Sequence, residues 1–83
     1  MNIRIQVDNM REAERLSNIC NQFPYEMFLR VNKFAADPKS TLGVLAMMYA
    51  DKTNLVIDTG DMPDEVIMDF SEKLSDFVVP AEE

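Results

Sequence analysis

The stretch Tyr25-Glu26-Met27-Phe28-Leu29-Arg30-Val31-Asn32-Lys33-Phe34-Ala35-Ala36 decides the fold. Tyr25, Met27, Leu29 and Val31 alternate with Glu26 and Arg30, the period-two signature of a half-buried strand. Phe28 interrupts the pattern as an apolar group on the outer face. Asn32-Lys33 then reads as a tight turn, and Phe34-Ala35-Ala36 as a short return strand. A hairpin in mid-chain implies an antiparallel sheet, and the segments on either side must pair with it or cover it.

Upstream, residues 2–7 alternate with Ile3, Ile5 and Val7 on one side, a second strand. Asp8 and Asn9 supply turn and N-cap chemistry. From Met10 to about Asn21 the period lengthens, and Ala13, Leu16, Ile19 and Cys20 mark one face of a helix. Downstream, Asp37-Pro38 reads as a helix start with Asp37 at the N-cap and Pro38 at the first helical position. Ser40 and Thr41 offer a competing cap two to three residues later. The run that follows is almost wholly apolar and fits a helix of two to three turns. Gly43 lowers its intrinsic propensity by about 1 kcal/mol relative to Ala and suits close approach to another backbone.

Residues 54–58 form a further strand, with Leu55 and Ile57 on one face and Val56 on the other. After the loop 59–61, Pro63 opens a last helix capped by Asp61 or Asp64, with Val66, Ile67, Phe70, Leu74 and Phe77 as its stripe. Residues 79–83 read as a frayed tail. The predicted order is β-α-β-β-α-β-α in a single domain over residues 1–83. That is an α+β open-faced sandwich: one four-stranded antiparallel sheet covered on one face by three helices.

Composition bounds the chemistry. Eighty-three residues with 8 Lys+Arg against 15 Asp+Glu give a net charge of −7. Phosphate backbones and anionic lipid headgroups both call for a basic face, so neither nucleic acid nor a membrane surface is an expected partner. The count of His is 0, which removes imidazole bases, histidine metal ligands and phosphohistidine. With a lone Cys20, zinc is not expected and no internal disulfide can form, which suits a cytoplasmic protein. Cys20 sits in an apolar-periodic segment and reads as an inert, buried thiol. Residues 1–10 lack the apolar run of a signal peptide, and no window approaches the ~20 apolar residues of a membrane span. Asp58, Asp61, Asp64 and Glu65 lack a metal-loop spacing and read as solvated loop and helix-start charges. No nucleophile–base pair is visible, so an enzyme is not expected, and no cofactor is implied.

The segment 36–45, Ala-Asp-Pro-Lys-Ser-Thr-Leu-Gly-Val-Leu, resembles the regulatory-serine region of HPr, the histidine-containing phosphocarrier family of the bacterial sugar phosphotransferase system. The strand 54–58, the acidic loop after it, the last helix, and the upstream helix, strand and turn follow in matching order. The resemblance implies the sandwich above. It also implies that Ser40 matches a serine that a dedicated kinase phosphorylates, and that Leu42 and Leu45 match an apolar patch that docks partner proteins.

One departure bears on function. The family's active site is a Gly-x-His-x-Arg-Pro stretch between the first strand and first helix. Here Asp8-Asn9-Met10-Arg11-Glu12 stands in its place, shorter, without His or Gly, and with only Arg11 matching. Asp8 and Glu12 make this helix start repulsive to a phosphate dianion. Phosphohistidine carriage is therefore not implied.

Two further readings stay open from sequence. Ser40 is either a helix cap or a phosphosite whose dianion the helix dipole, free N–H groups and Lys39 would favour. Leu42, Leu45 and Met48, on a helix apolar nearly all round, are either partner anchors or core, with Val44 and Met47 able to supply the core side. The expected function is a non-catalytic HPr-like regulatory or adaptor domain, a monomer or weak homo-oligomer, that binds a protein partner through Lys39, Leu42, Leu45 and Met48. The alternative is a phosphocarrier with a non-histidine acceptor. A structural subunit of a homo-oligomer is a third.

Overall fold

The computed structural model describes residues 1–79. Strands β1 (Asn2–Ile5), β2 (Phe28–Val31), β3 (Phe34–Ala36) and β4 (Leu55–Asp58) alternate with helices α1 (Met10–Cys20), α2 (Thr41–Asp51) and α3 (Asp64–Lys73). The expected order β-α-β-β-α-β-α holds. The strands form one antiparallel sheet in the order β1-β4-β2-β3.

Register follows the hydrophobic pattern. Ile3 pairs with Ile57, Ile57 with Leu29, and Leu29 with Ala36. Ile3, Ile57 and Leu29 are buried beneath the helices. The next row, Arg4–Val56–Arg30–Ala35, takes the opposite face because side chains alternate along a strand. There Arg30 reaches Asp58 at 3.2 Å and lies 5.7 Å from the centre of the Phe28 ring. Asn32 takes φ 52° to close the β2–β3 turn, a left-handed conformation that Asn tolerates better than most residues.

The helices and the segment after α3 supply the other half of the core. Leu16, Cys20, Val44 and Phe70 from the helices, and Leu74 and Phe77 from that segment, are buried against the sheet residues. Phe23 meets Phe70 edge to face at 5.0 Å between ring centres. Arg15 ties α1 to the chain beyond α3, with Asp76 at 3.0 Å and the Phe77 ring 5.2 Å away. Among the described residues no helix is long and apolar enough to cross a membrane.

Several boundaries differ from expectation. β1 stops at Ile5, although Val7 is still buried, because the chain turns toward α1. β2 starts at Phe28 rather than Tyr25, since only residues 28–30 find partners on β4. Neither Asp61 nor Asp64 caps α3. Pro63 takes the cap position and makes no side-chain bond there, while Asp64 and Glu65 fill the first turn. Leu74 and Phe77 lie beyond the last helical residue yet remain buried. On α1 Ile19 is only partly buried, and Ser17 takes the inward place beside Leu16. The tail expectation fails at residue 79, where the Val79 N–H donates to the Arg4 carbonyl at 3.0 Å. Residues 80–83 lie outside the described chain.

Candidate functional site

The start of α2 is built by the loop before it. The Asp37 carboxylate accepts the Lys39 N–H at 2.9 Å, and the Asp37 carbonyl accepts the Ser40 N–H at 3.0 Å. These bonds make Asp37 a turn residue, not the helix cap. Pro38 is buried within that turn rather than opening the helix. The cap is Ser40, with extended backbone and an Oγ that accepts the Gly43 N–H at 3.2 Å. Gly43 is needed for the approach: a Cβ there would stand 3.0 Å from the Asp37 carbonyl oxygen. That is the close packing its position suggested.

Two side chains, one on α1 and one just past its end, fix the loop. Ser17 Oγ donates to the Pro38 carbonyl at 3.0 Å, and Asn21 Nδ2 donates to the Lys39 carbonyl at 2.9 Å. Asn21 also donates to the Ser17 carbonyl, closing the C-terminal end of α1. Sequence pattern missed both. A Ser on the inward face was their only signal.

Ser40 is exposed and Lys39 half-exposed. The site therefore has an accessible hydroxyl at a helix N-terminus, with a cation beside it. The Asp37 carboxylate stands on the same turn and opposes an added dianion. Cys20 lies beneath, where burial pushes its thiol up to about 12; the nearby charges of Lys39 and Asp37 act in opposite directions. A thiol so protonated is a packing group, not a nucleophile.

The apolar surface of α2 divides differently from the stripe expected. Val44, Leu45 and Met48 face the core, the last two at 8% exposure each, and Met47 is half-buried. Leu45 and Met48 are therefore not surface anchors, because α2 lies over β2 and β3 and turns them inward. Leu42, at 78% exposure, keeps the accessible place predicted for it. Ala46 and Tyr49, the latter 81% exposed, continue its face at the i+4 and i+7 positions. A helix apolar on both sides offered no contrast by which to choose between faces.

The region Asp8–Glu12 closes on itself. Asn9 caps α1 by accepting the Glu12 N–H at 2.9 Å, and Glu12 Oε1 accepts the Asp8 N–H at 2.9 Å. Asp8 also receives Gln6 Nε2 at 2.9 Å and faces Lys52 Nζ at 3.8 Å. Met10 and Arg11 are exposed. The Asp8–Lys52 and Asn21–Lys39 links show that α1 and α2 run antiparallel. Eleven helical residues separate the two helix starts, about 16 Å at 1.5 Å per residue. The structure thus does not bring Ser40 and the Asp8–Glu12 region together.

The acidic loop residues are dispersed. Asp58 is held below the usual carboxylate range, first by the Gly60 N–H at 2.9 Å and then by Arg30. Among the described residues no three His, Cys, Asp or Glu side chains form a group that could hold a metal ion. Comparison with protein-family models, with curated proteins and with solved structures finds no match to this chain.

Proposed function

We propose that this chain is a non-catalytic regulatory or adaptor domain of the HPr type that binds a protein partner through the start and outer face of α2. One observation carries the reading: Leu42 and Tyr49 stand 78% and 81% exposed on the helix that Ser40 caps. Large apolar groups exposed together on an ordered helix mark a binding face more often than chance. The resemblance around Lys39-Ser40 and the matching element order support the same assignment. The partner presents an apolar groove with a basic rim, since the chain carries a net charge of −7.

Ser40 is the switch in this reading. Phosphorylation replaces a single hydroxyl cap with a dianion that can accept from several N–H groups of the first turn, the turn that contains Leu42. The acidic start of α1 speaks against the alternative of phosphocarriage, because the Asp8 and Glu12 carboxylates would oppose a phosphoryl group there, and the Glu12 and Asn9 side chains already take two backbone N–H donors.

The test compares capture of partners by the wild type and by Leu42→Asp and Tyr49→Ala, with folding checked by circular dichroism. Equal recovery of the same partner by all three would falsify the α2 face. Intact mass of the native protein reports whether Ser40 carries phosphate. Acid-labile label from phosphoenolpyruvate and the first enzyme of the phosphotransferase system would restore the carrier reading.

A further inference from the structure

The sheet has two edges, and the chain treats them differently. The outer edge of β1 is closed by the segment after α3: Val78 bridges Ile5, Gln6 N–H donates to the Phe77 carbonyl at 2.9 Å, and Val79 N–H donates to Arg4. The outer edge of β3 has no strand beside it among the described residues.

The turn fixes which groups β3 leaves open. Val31 and Phe34 flank a two-residue loop and form the bonded pair next to it. Alternation of the ladder then turns the Phe34 and Ala36 backbone groups toward β2, and the Ala35 N–H and C=O outward. An unpaired edge is a template for another strand, and proteins guard it with a proline, a bulge, a charge or extreme shortness. At 3 residues β3 is short, and it offers one outward N–H and one outward C=O. Within 34–36 there is no proline and no charge, and Phe34 is 61% exposed.

The local sequence is its own complement. Antiparallel pairing about a two-fold axis through Ala35 sets Phe34 opposite Ala36 of the second copy, and Lys33 opposite its Asp37. The axis repeats both pairs. A large ring then meets a methyl group on the helix side, since Phe34 and Ala36 share the face of Leu29 and Val31. Opposite charges meet at the two flanks, where Lys33 and Asp37 are both exposed. For a chain of net charge −7, most other contacts between two copies are repulsive.

We infer that the chain self-associates as a two-fold dimer through β3, joining two four-stranded sheets into one antiparallel sheet of eight strands centred on Ala35. The axis stands normal to the sheet, so both helix layers lie on the same side. The two α2 helices, which lie over β2 and β3, flank the seam.

Sedimentation equilibrium from about 1 µM to about 1 mM tests it, a span that covers weak to moderate dissociation constants. The wild-type mass rises with concentration from 9.5 kDa toward twice that value. Ala35→Pro removes the outward N–H at an edge position that tolerates proline, and stays monomeric. Lys33→Glu, which sets like charges opposite each other twice, raises the dissociation constant about tenfold. Adding Asp37→Lys to it restores association. A mass fixed at the monomer value over the whole range overturns the inference and leaves the edge to a strand of a different protein. Equal association by wild type and Lys33→Glu overturns the register, whatever the stability of the proline variant.

Discussion

The two helix starts on this small domain are opposites in construction. At α1, Asn9 caps, Glu12 reaches back to Asp8, and Asp8 collects Gln6 and Lys52. At α2, one serine hydroxyl caps Gly43, and the side chain two residues on stands in solvent. The first start spends its polar groups on itself. The second is held from below, by Ser17 and Asn21, and keeps its outer surface free. A helix end whose support comes from the core side can change its outer side without losing its position.

The largest effect should separate the two faces of α2. Leu45→Ala removes buried methyls and is expected to lower stability by about 2–5 kcal/mol. Leu42→Ala, three residues earlier, should change it by less than about 0.5 kcal/mol. Urea denaturation gives both. Equal losses would mean that the apolar surface around Leu42 is covered in solution, and the contrast with α1 would then fail.

The division of α2 was the least legible part of the chain. The hairpin was readable because Tyr25, Met27, Leu29 and Val31 keep a period of two despite the apolar Phe28 between them, and the return strand 34–36 followed from its turn. Helix α1 was readable because charged residues fill its outer face. In α2 neither face contains a charge before Asp51, so periodicity could not say which stripe faces β2 and β3. Only packing against the sheet decides it, and that is tertiary information. The cap at Ser40 was legible as one of two candidates. What tipped it was the Asp37 carboxylate turning back to Lys39, a local competition that residue preferences alone do not resolve. Buried Ser17 escaped for a similar reason: its partner is a backbone carbonyl twenty-one residues away.

Intermediate effects should rank the caps. Asn9→Ala and Ser40→Ala each lose a side-chain acceptor, a change of about 1 kcal/mol. The Asn9 variant should lose more, because Glu12 is then left to hold the α1 start without its reciprocal bond. Gly43→Ala sets two terms against each other. Helix propensity favours Ala by about 1 kcal/mol. The Cβ, however, would press on the Asp37 carbonyl oxygen at 3.0 Å, the same oxygen that holds the Ser40 N–H. Overpacking against a tied backbone costs about 1–3 kcal/mol, so the net change should be destabilising. Thermal melts of the three variants check the order, and a stabilised Gly43→Ala would show that the loop before α2 can yield.

The smallest effect lies at the far end of α2, where the helix returns to the α1 start. Asp51 receives Asn54 Nδ2 at 2.7 Å, Thr53 Oγ1 at 2.8 Å and the Thr53 N–H at 3.1 Å. All three donate to the ionised carboxylate and hold it below the ordinary aspartate value of 3.8, the Asn54 bond most of all. A group whose pKa falls on folding stabilises the fold above its unfolded value, and that contribution fades as the pH drops through its folded value. Stability should therefore decline on acidification below 3.8, and Asp51→Asn should flatten that limb by losing a small increment at neutral pH and meeting the wild type in acid. Ser40→Ala, at the other end of the same helix, removes no titrating group and should lower the curve by the same step at every pH. Denaturant midpoints across the acid range would show it. If the serine variant bent the acid limb as much as the aspartate variant did, the two ends of α2 would be coupled through the helix, and the independence of its Ser40 end would not stand.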